Sequence, residues 1–281
     1  MNILSTKGWE DYQLLDSGDS MRLEKFGKYL ISKPDPQSIW KPSLSKAEWE
    51  KADATFENDK WVTKSQMPEK WIISYKDLKF YARLTPFKHT GIFPEQSINW
   101  DYIEEKVKSS INQPNILNLF AYTGIASLVA ARHGAKVTHL DASKPSIAWA
   151  KENQTLSGLS DRPIRWMLDD ALEFTAREAR RGNVYDGIIM DPPVYGHGPS
   201  KEVWDFNKSF PELLINCMKL LSKTPIFVIA NAYAVSASSI MLKNLFEDHF
   251  NATSIEYGEL ALIQANDRLL STGIFSRFSS I

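Results

Sequence analysis

The sequence predicts an α/β protein in which a β-rich N-terminal region precedes a doubly wound, mostly parallel sheet of seven strands. Before residue 113, six of the nine tryptophans accompany prolines and short alternating runs, which are typical of small antiparallel sheets. After it, short apolar runs alternate with helix-length segments, the pattern of a parallel sheet covered by helices on both faces. We therefore predict two domains, residues 1–112 and residues 113–281.

The N-terminal region contains two segments with strand patterns. Residues 22–31 indicate a hairpin or two short strands, and residues 71–84 indicate two strands joined by a turn at Lys76 and Asp77. Residues 34–45, which include three prolines, are expected to form an extended connection.

The C-terminal region alternates between strands and helices, and right-handed crossovers between its strands would wind the sheet in both directions. Its tail differs, because residues 254–263 and 271–278 have strand patterns with only a short link, which predicts an antiparallel hairpin closing one edge. The other predicted strands are 116–120, 136–140, 164–168, 185–190 and 225–230, and the predicted helices are 124–133, 144–157, 170–181, 207–222 and 236–249.

Composition excludes some classes of protein. The chain carries 33 basic and 34 acidic residues, so it lacks the basic excess of many nucleic-acid-binding proteins. Its single cysteine, Cys217, cannot form a disulfide within the chain, and the helical spacing of apolar residues around it predicts a buried core thiol. The sequence has no signal-peptide pattern and no apolar run of membrane-spanning length, so we expect a cytoplasmic protein without a membrane or metal partner.

The strand predicted at 116–120 runs into a turn of small residues. Open α/β sheets bind ligands at the carboxyl ends of their strands, and a helix that begins after Gly124 would present N–H groups and a positive dipole end there. Glycine at 124 would let the backbone approach a ligand closely. The pattern indicates a cofactor pocket, although a purely structural strand-to-helix turn would have a similar sequence.

Carboxylates follow the next two strands. Asp141 could accept both hydroxyls of a ribose, with roughly 1.5–3 kcal/mol for each hydrogen bond to the ionised group; alternatively, Asp141 or Ser143 caps the following helix. Asp170, chosen over Asp169 because it directly precedes the helix start at Ala171, would lie near an adenine amino group and also suits the N-cap position. These positions predict a cofactor that contains a nucleoside.

The strand at 185–190 ends in Asp191-Pro192-Pro193. The two prolines fix φ and remove two N–H donors, which leaves a rigid turn whose carboxylate and carbonyls face the pocket. The following loop carries Tyr195 and His197 and could stack on a planar substrate. A structural turn is the alternative for the Asp-Pro-Pro sequence, and a lone loop histidine is more often solvent-facing or structural than a general base.

Together these segments resemble class I S-adenosylmethionine-dependent methyltransferases, and within that class the bacterial 23S rRNA large-subunit methyltransferases. The resemblance rests on the turn at 115–124, on Asp191-Pro192-Pro193, and on residues 88–96, which are similar to a family segment that lies beside the cofactor. It covers roughly residues 70–280.

The resemblance implies a Rossmann-like fold, S-adenosylmethionine as cofactor, and an N-terminal region that recognises substrate and covers the cofactor site. It places the methionine part at the 120–124 turn, the ribose at Asp141 and the adenine at Asp170 and Ala171. Asn118 stands where many class I enzymes have an acidic residue. The implied cofactor-binding residues are Phe93, Gln96, Asn118, Phe120, Ala121, Tyr122, Thr123, Gly124, Asp141, Ala142, Asp170 and Ala171, and the implied catalytic residues are Asp191, Pro192 and Tyr195.

The residues available for chemistry favour methylation of nitrogen. Enzymes that methylate cytosine C5 first attack the ring with a cysteine thiolate, and the only cysteine, Cys217, is not at the Asp-Pro-Pro turn. An amino nitrogen needs mainly alignment: Asp191 or the Pro192 carbonyl could hold it, Tyr195 could stack on the base, and Asn231 could help to orient it. We therefore predict N-methylation of ribosomal RNA.

Other interpretations remain open at this point. Residues 1–65 do not match the small RNA-binding β-domain with which the rRNA enzymes usually begin, so the substrate could instead be a protein or a small molecule. A nicotinamide oxidoreductase is disfavoured by the edge hairpin and by Asp-Pro-Pro. A non-catalytic RNA-binding assembly factor would not need the full set of cofactor residues. A homodimer is also left open.

Overall fold

A computed structural model of the protein describes residues 1–64, 67–233, 236–250, 252 and 254–280. The chain divides into two compact units, each built from separate segments. We call them the N-terminal unit (Ser5–Ser97 and Ala261–Thr272) and the sheet unit (Met1–Leu4, Ile98–Leu260 and Gly273–Ile281). The predicted domain boundary at residues 112 and 113 stays a prediction, and the helix that precedes it belongs with the sheet unit.

The N-terminal half of the chain is mostly β-structure. The strand predictions for 22–31 and 71–84 are confirmed, and Lys76 has the left-handed φ of +52° in the turn between the second pair. Residues 35–45 contain neither helix nor strand. The elements are β1 (Asn2–Ser5), β2 (Tyr12–Gly18), β3 (Met21–Phe26), β4 (Tyr29–Pro34), α1 (Lys46–Trp49), β5 (Ala54–Glu57), β6 (Lys60–Thr63), β7 (Lys70–Tyr75) and β8 (Leu78–Arg83).

Within the N-terminal unit, β2 to β6 form a five-stranded sheet in chain order, and β7 pairs with β8 in a separate hairpin. Its early aromatic residues pack on one another: the Trp9 ring lies 5.5 Å from Tyr12 and 5.0 Å from Tyr75, and the Tyr12 ring lies 5.1 Å from Phe26. Aromatic clusters of this kind supply a small sheet with the apolar area that it can bury.

The second half of the chain alternates as predicted, with most bounds shifted by one to three residues. The elements are α2 (Ser97–Ser109), β9 (Asn115–Leu119), α3 (Ile125–Arg132), β10 (Lys136–Asp141), α4 (Lys144–Leu156), β11 (Ile164–Leu168), α5 (Ala171–Arg180), β12 (Gly187–Met190), β13 (Tyr195–His197), β14 (Val203–Asp205), α6 (Phe206–Leu220), β15 (Phe227–Ala232), α7 (Ser239–His249), β16 (Glu256–Ile263) and β17 (Leu269–Phe278).

The main sheet has the order β1-β16-β17-β15-β12-β9-β10-β11. Strands β15, β12, β9, β10 and β11 are parallel, and β17 runs antiparallel to β15. The predicted doubly wound class is confirmed. The sheet has eight strands rather than seven, because the first residues of the chain add β1 outside β16, so the predicted tail hairpin is not the outermost element.

Helices cover both faces of this sheet. Alternate residues of the central strands, such as Met190 and Val228, are buried in a core with α5, α6 and α7. On the opposite face the Tyr102 ring of α2 lies 6.3 Å from Phe227 of β15. The strand order reverses between β9 and β12, and open α/β sheets bind ligands at such a switch point, beyond the carboxyl ends of the strands.

Candidate active site

The carboxyl ends of the parallel strands bring the predicted site segments to one edge. Leu119 of β9 pairs with Leu140 of β10 and with Met190 of β12, so the residues that follow each strand emerge side by side. The same register pairs Asp141 with Leu168 of β11. The turn at residues 120–124 (which we call the cofactor turn, after its predicted role), Asp141, Asp170 and the Asp-Pro-Pro turn therefore share this edge.

The turn after β9 has an unusual backbone. Phe120, Tyr122 and Gly124 have left-handed φ values of +56°, +47° and +85°. The residues between them, Ala121 and Thr123, do not have a positive φ. The Gly124 N–H donates to the Ala121 carbonyl (3.0 Å), and the Tyr122 N–H donates to Asp141 Oδ2 (2.7 Å). Left-handed φ costs an L-residue roughly 1–2 kcal/mol, so the turn is held by these bonds and by the tight packing around it.

Asp141 links the turn to the helix that follows β10. Its Oδ2 accepts the Tyr122 N–H, and its Oδ1 accepts the Ser143 N–H at 2.8 Å. Burial raises the pKa of Asp141, although these two N–H groups lower it. A carboxylate can accept about four hydrogen bonds, so each oxygen keeps capacity for a ribose hydroxyl. Ser143 is the cap of α4, because its hydroxyl accepts the Ser146 N–H.

Asp170 has the first of the two roles that the sequence left open, the cap of a helix, and its adenine-binding role stays a prediction. Its Oδ1 accepts the N–H groups of Leu172 (2.9 Å) and Glu173 (3.0 Å), which makes it the N-cap of α5. It also lines a pocket at the carboxyl edge, which has a volume of about 60 Å³ and so fits only one end of a nucleoside cofactor. The pocket is lined by Phe120, Leu140, Ala142, Asp169, Asp170, Ala171, Pro193, Gly196, His197, Gly198 and Trp204.

Sequence reasoning did not select Trp204, which contacts both the turn after β9 and the diproline turn after β12. Its indole Nε1 donates to the Pro193 carbonyl at 2.7 Å, and its ring meets Phe120 edge-on with centroids 4.8 Å apart. The side chain is buried and pairs with Gly196 across the β13–β14 hairpin. Trp204 thus fixes the diproline turn against the cofactor turn. Its only sequence signal was a tryptophan shortly after Asp-Pro-Pro.

The predicted catalytic residues lie along the same edge. Asp191 directly follows β12 and is half-buried, Pro192 is buried, and Tyr195 begins the β13–β14 hairpin with 59% of its surface exposed. The Tyr195 ring meets the His197 ring edge-on at 5.4 Å. An exposed aromatic pair forms a surface on which a planar group can stack.

Other predicted cofactor residues face elsewhere or lie in the other unit. Asn118 is buried, and its Nδ2 donates to Ser127 Oγ at 2.9 Å, so its side chain is engaged with α3. Ala121 and Thr123 are also buried, and the Thr123 carbonyl accepts from Asn153. Phe93 and Gln96 belong to the N-terminal unit, in and just before a short 3₁₀ helix. Their cofactor roles stay predictions.

A buried histidine lies beneath the cofactor turn. The His139 Nδ1 is 3.0 Å from Ser127 Oγ, and its ring packs 4.6 Å from Trp166. Among the residues that the structure describes, its Nε2 has no hydrogen-bond partner. Burial lowers the pKa of His139 to about 3, so the imidazole is neutral in the folded protein. A proton on Nδ1 would leave only a lone pair on the unpartnered nitrogen, which is easier to bury than an N–H group.

We expect His139 to weaken the fold in acid. The unfolded chain binds a proton at this residue below about pH 6.5, whereas the folded chain does not until about pH 3. Stability is therefore full above pH 6.5 and falls by about 1.4 kcal/mol per pH unit below it. Chemical denaturation at the two pH values measures this effect. Between pH 7.5 and 5.0 the free energy of unfolding should fall by roughly 2 kcal/mol more in the wild type than in His139→Gln.

The control for this experiment is His197→Gln, which removes an exposed histidine and should follow the wild-type pH curve. If His139→Gln shows the same acid loss as the wild type, the neutral buried imidazole is not its source.

A larger cleft, of about 460 Å³, opens at the opposite, amino edge of the sheet. Its buried carboxylate, Glu178, accepts hydrogen bonds from Arg165 (3.2 Å), Arg181 (3.0 Å), Asn183 (2.9 Å) and Tyr185 (2.9 Å). This acceptor is saturated, and the cleft contains none of the predicted site residues. The larger volume of this cleft favours the amino edge as the ligand site. The carboxylates that follow β10, β11 and β12 and the switch in strand order favour the carboxyl edge, where we place the site.

The single cysteine, Cys217, is not placed or ionised as a nucleophile would be. Cys217 is fully buried in α6, with its sulfur 3.7 Å from the Met190 sulfur, and burial raises its pKa well above the ordinary range. The predicted core thiol is confirmed. Among the residues that the structure describes, no helix is long and apolar enough to cross a membrane.

Comparisons with known proteins agree with this geometry. A family model described as S-adenosylmethionine-dependent methyltransferase matches residues 50–246. The crystal structure of the SAM-dependent methyltransferase from Agrobacterium tumefaciens is 39% identical, covers 100% of this chain and 94% of that chain, and superposes with a TM-score of 0.96. The protein SMU.776, solved with S-adenosylhomocysteine, is 20% identical over 95% of this chain and 75% of that chain; its TM-score of 0.74 shows a shared fold.

The fold and these comparisons thus define an enzyme that uses a nucleoside cofactor and is built on a doubly wound sheet. The chain belongs to the S-adenosylmethionine-dependent methyltransferases, and its cofactor is S-adenosylmethionine. The ribosomal RNA large subunit methyltransferase K/L of Shewanella frigidimarina is 36% identical over 155 residues, which are 54% of this chain and 21% of that protein. The chain therefore matches only about a fifth of the length of such curated relatives.

The residues at the carboxyl edge fit this cofactor. Asp141 is held half-buried with acceptor capacity left on both oxygens, as a ribose requires. The pocket beside it has apolar and aromatic walls and also contains the carboxylates of Asp169 and Asp170. Apolar walls with a few polar groups are typical of sites that bind a small molecule or cofactor.

Proposed function

We propose that this methyltransferase transfers its methyl group to an amino nitrogen of a base in ribosomal RNA. The observation that carries the proposal is Asp191 at the carboxyl end of β12, followed by a diproline turn whose second carbonyl is bound by Trp204. The choice of ribosomal RNA is supported by the name of the Shewanella relatives, ribosomal RNA large subunit methyltransferase K/L.

Residues at the end of β9 to β11 would hold the cofactor. When bound, S-adenosylmethionine supplies a methyl group that its sulfonium already activates. In this proposal the 120–124 turn binds the methionine part, Asp141 accepts from the ribose hydroxyls, and Asp170 with Ala171 binds the adenine. The family resemblance also implies cofactor-binding roles for Phe93 and Gln96.

The substrate would be held by the segment after β12. Asp191, or the Pro192 carbonyl, accepts a hydrogen bond from the amino group and so fixes the direction of its lone pair; the proton released on methylation passes to Asp191 or to solvent. Alignment of this kind can supply much of a rate enhancement when the electrophile is already activated. Tyr195 would stack on the base, a contact worth about 1–3 kcal/mol.

Radioactive methyl transfer tests this function. The protein is incubated with S-[methyl-³H]adenosylmethionine and, separately, with ribosomal RNA, a protein pool and a small-molecule pool. We expect label in ribosomal RNA, and a nucleoside methylated on nitrogen after digestion and mass analysis. Label only in protein or small molecules would overturn the RNA substrate, and a carbon-methylated base would overturn the nitrogen target.

We expect Asp141→Asn to weaken the binding of S-adenosylhomocysteine, measured by calorimetry, by about 10- to 100-fold, because it removes the charge that two ribose hydroxyls would meet. The control is Asp161→Asn, an exposed acidic residue in the loop before β11, which should bind within twofold of the wild type. Unchanged affinity in Asp141→Asn would show that this carboxylate does not hold the ribose.

We also propose a role for the N-terminal region and a location for the enzyme in the cell. Residues 1–112 would recognise the substrate, and a ribosomal RNA substrate would place the enzyme in the cytoplasm. A homodimer is a separate prediction, which the mass of the protein in solution checks by light scattering.

A further inference from the structure

A second cavity lies at the amino edge of the sheet unit, at the opposite ends of the strands from the proposed methyl-transfer site. It has a volume of about 460 Å³ and is lined by the first residues of β9, β10 and β11 and by residues that precede β12. Sites for small molecules and cofactors typically have volumes of about 300–1,000 Å³. We call this cavity the amino-edge cleft, and its volume is enough for a whole small molecule.

The floor of the cleft is buried and held by hydrogen bonds. Glu178 is 0% exposed, Tyr185 is 2% exposed, and the Tyr185 hydroxyl donates to Glu178 Oε2 at 2.9 Å. Burial raises the pKa of Glu178, but the hydrogen bonds that it accepts lower this pKa more, so the group is an ionised acceptor at neutral pH. A floor that is already fixed loses little conformational entropy when a ligand binds.

The rim of the cleft has an excess of positive charge. Two guanidinium groups, those of Arg165 and Arg181, pair with Glu178 at 3.2 Å and 3.0 Å. Lys136 lines the cleft and is exposed, and within the part of the chain that the structure describes it forms no ion pair. Even with Asp186, which precedes β12, these groups carry three positive charges and two negative ones. The rim therefore attracts an anionic group.

Arg165 is oriented to bind such a group. Its NH1 donates to Glu178 Oε2 at 3.2 Å, and its guanidinium carbon lies 5.6 Å from the centre of the Phe174 ring. A guanidinium carries five N–H donors in a fixed plane, and the bond to Glu178 uses one of them. Arginine and lysine are both typical ligands of phosphate. A phosphate monoester carries up to about two negative charges, so it gains more from two cations than a carboxylate does.

Two asparagine amides present their oxygens as acceptors. Asn115 Nδ2 donates to the Val184 carbonyl at 2.9 Å, and Asn183 Nδ2 donates to Glu178 Oε2 at 2.9 Å. Both partners can only accept, so each amide must present its nitrogen to them and turn its oxygen away. Both asparagines line the cleft, so it offers acceptors to a ligand that carries an amino group.

The other wall residues are mostly apolar and include Val137, Ile164 and Val184. Aliphatic side chains of this kind pack against the body of a ligand, whereas a few polar groups fix its orientation. The ligand that fits the cleft therefore combines an apolar body, an amino group and an anionic group. A nucleotide whose base is adenine, cytosine or guanine has all three.

We propose that the amino-edge cleft binds a nucleotide whose base carries an amino group, with its phosphate at Lys136 and Arg165. The amino group meets the amide oxygens of Asn115 and Asn183. A free nucleotide and a nucleotide within an RNA strand share this chemistry. The site is distinct from that of S-adenosylmethionine, which has no phosphate and carries a positive sulfonium, and the inference does not depend on the substrate of methyl transfer.

Calorimetry of the whole protein with adenosine monophosphate tests the site. All titrations contain saturating S-adenosylhomocysteine, so that the adenine of the probe cannot be counted at the cofactor site. We expect a dissociation constant below about 1 mM. Inosine monophosphate, which has an oxygen in place of the adenine amino group, should bind about tenfold more weakly, because the amide oxygens then meet no donor.

Two variants separate the two ends of the ligand. Lys136→Glu should weaken both nucleotides by at least about tenfold, because a like charge then meets the phosphate. The matched control is Lys41→Glu, an exposed lysine of the N-terminal unit, for which we expect less than about a twofold change. Asn183→Ala should instead reduce the preference for adenosine over inosine monophosphate to within about threefold.

A five-residue oligoadenylate RNA distinguishes the sources of the nucleotide. Binding of the RNA at least about tenfold tighter than adenosine monophosphate, with the same loss in Lys136→Glu, assigns the cleft to an RNA strand. Equal or weaker binding of the RNA assigns it to a free nucleotide. The inference is overturned if neither probe binds, if S-adenosylhomocysteine abolishes the binding, or if Lys136→Glu leaves the affinity unchanged.

Discussion

Asp191→Asn is expected to lower the turnover of methyl transfer by about 10²- to 10³-fold while the affinity for S-adenosylhomocysteine stays within about threefold. The substitution replaces the charged acceptor at the end of β12 with a neutral amide of the same size. An amino group would then meet a neutral amide oxygen, which is a weaker acceptor than a carboxylate and cannot take up the released proton, whereas the residues at the ends of β9, β10 and β11 would be unaffected. Single-turnover transfer and calorimetry measure the two quantities separately.

Asp186→Asn provides the matched control at the other end of the same strand. Asp186 Oδ2 accepts the Asn115 N–H at 2.9 Å, so it holds β12 against β9 at the amino edge. We expect this variant to be less stable but to turn over at the wild-type rate when folded. Turnover of Asp191→Asn within tenfold of the wild type would remove Asp191 from the mechanism.

The elements that position the site could be predicted because their signals are local. The strands β9, β10 and β12 are short apolar runs that end at a glycine turn, an aspartate and a proline pair, and each was expected within three residues of its place. Parallel pairing then brings the ends of these strands to one edge, whatever the details of packing. The cap at Asp170 was likewise visible from one residue and its neighbours.

Features that depend on distant partners could not be predicted. β1 joins the sheet beside β16, where Asn2 donates to Glu256, 254 residues away in the chain. Asn99 meets Asn231 across 132 residues and Arg277 across 178. The residues around Asn2 or Asn99 in the sequence do not show that either has a distant partner. The partners are brought together only when the sheet folds.

Gly124 was correctly predicted to be important, but the sequence suggested only part of the reason. The sequence suggested that glycine lets the backbone approach a ligand. In the structure, a Cβ at this position would lie 2.8 Å from the Ala150 Cβ and 3.4 Å from His139 Cε1, and φ is +85°. The contact with α4 therefore requires glycine even without a ligand, and the left-handed backbone favours it. Ala150, the residue in contact, lies more than twenty residues further along the chain.

We expect Gly124→Ala to destabilise the protein by about 2–5 kcal/mol, the sum of left-handed strain of roughly 1–2 kcal/mol and overpacking of roughly 1–3 kcal/mol. Gly134→Ala separates the two, because Gly134 has a φ of +99° but no described heavy atom within 4 Å of the added carbon. It should cost only the backbone strain. Denaturant unfolding of both variants gives the overpacking by difference.

A double-mutant cycle then identifies the clashing partner. Ala150→Gly alone should cost about 1 kcal/mol, as glycine does within a helix. Combined with Gly124→Ala it removes the 2.8 Å contact, so the pair should be more stable than the sum of the single changes by at least about 1 kcal/mol. Additive effects would mean that α4 does not set the limit at the cofactor turn, and that Gly124 is required by its backbone conformation alone.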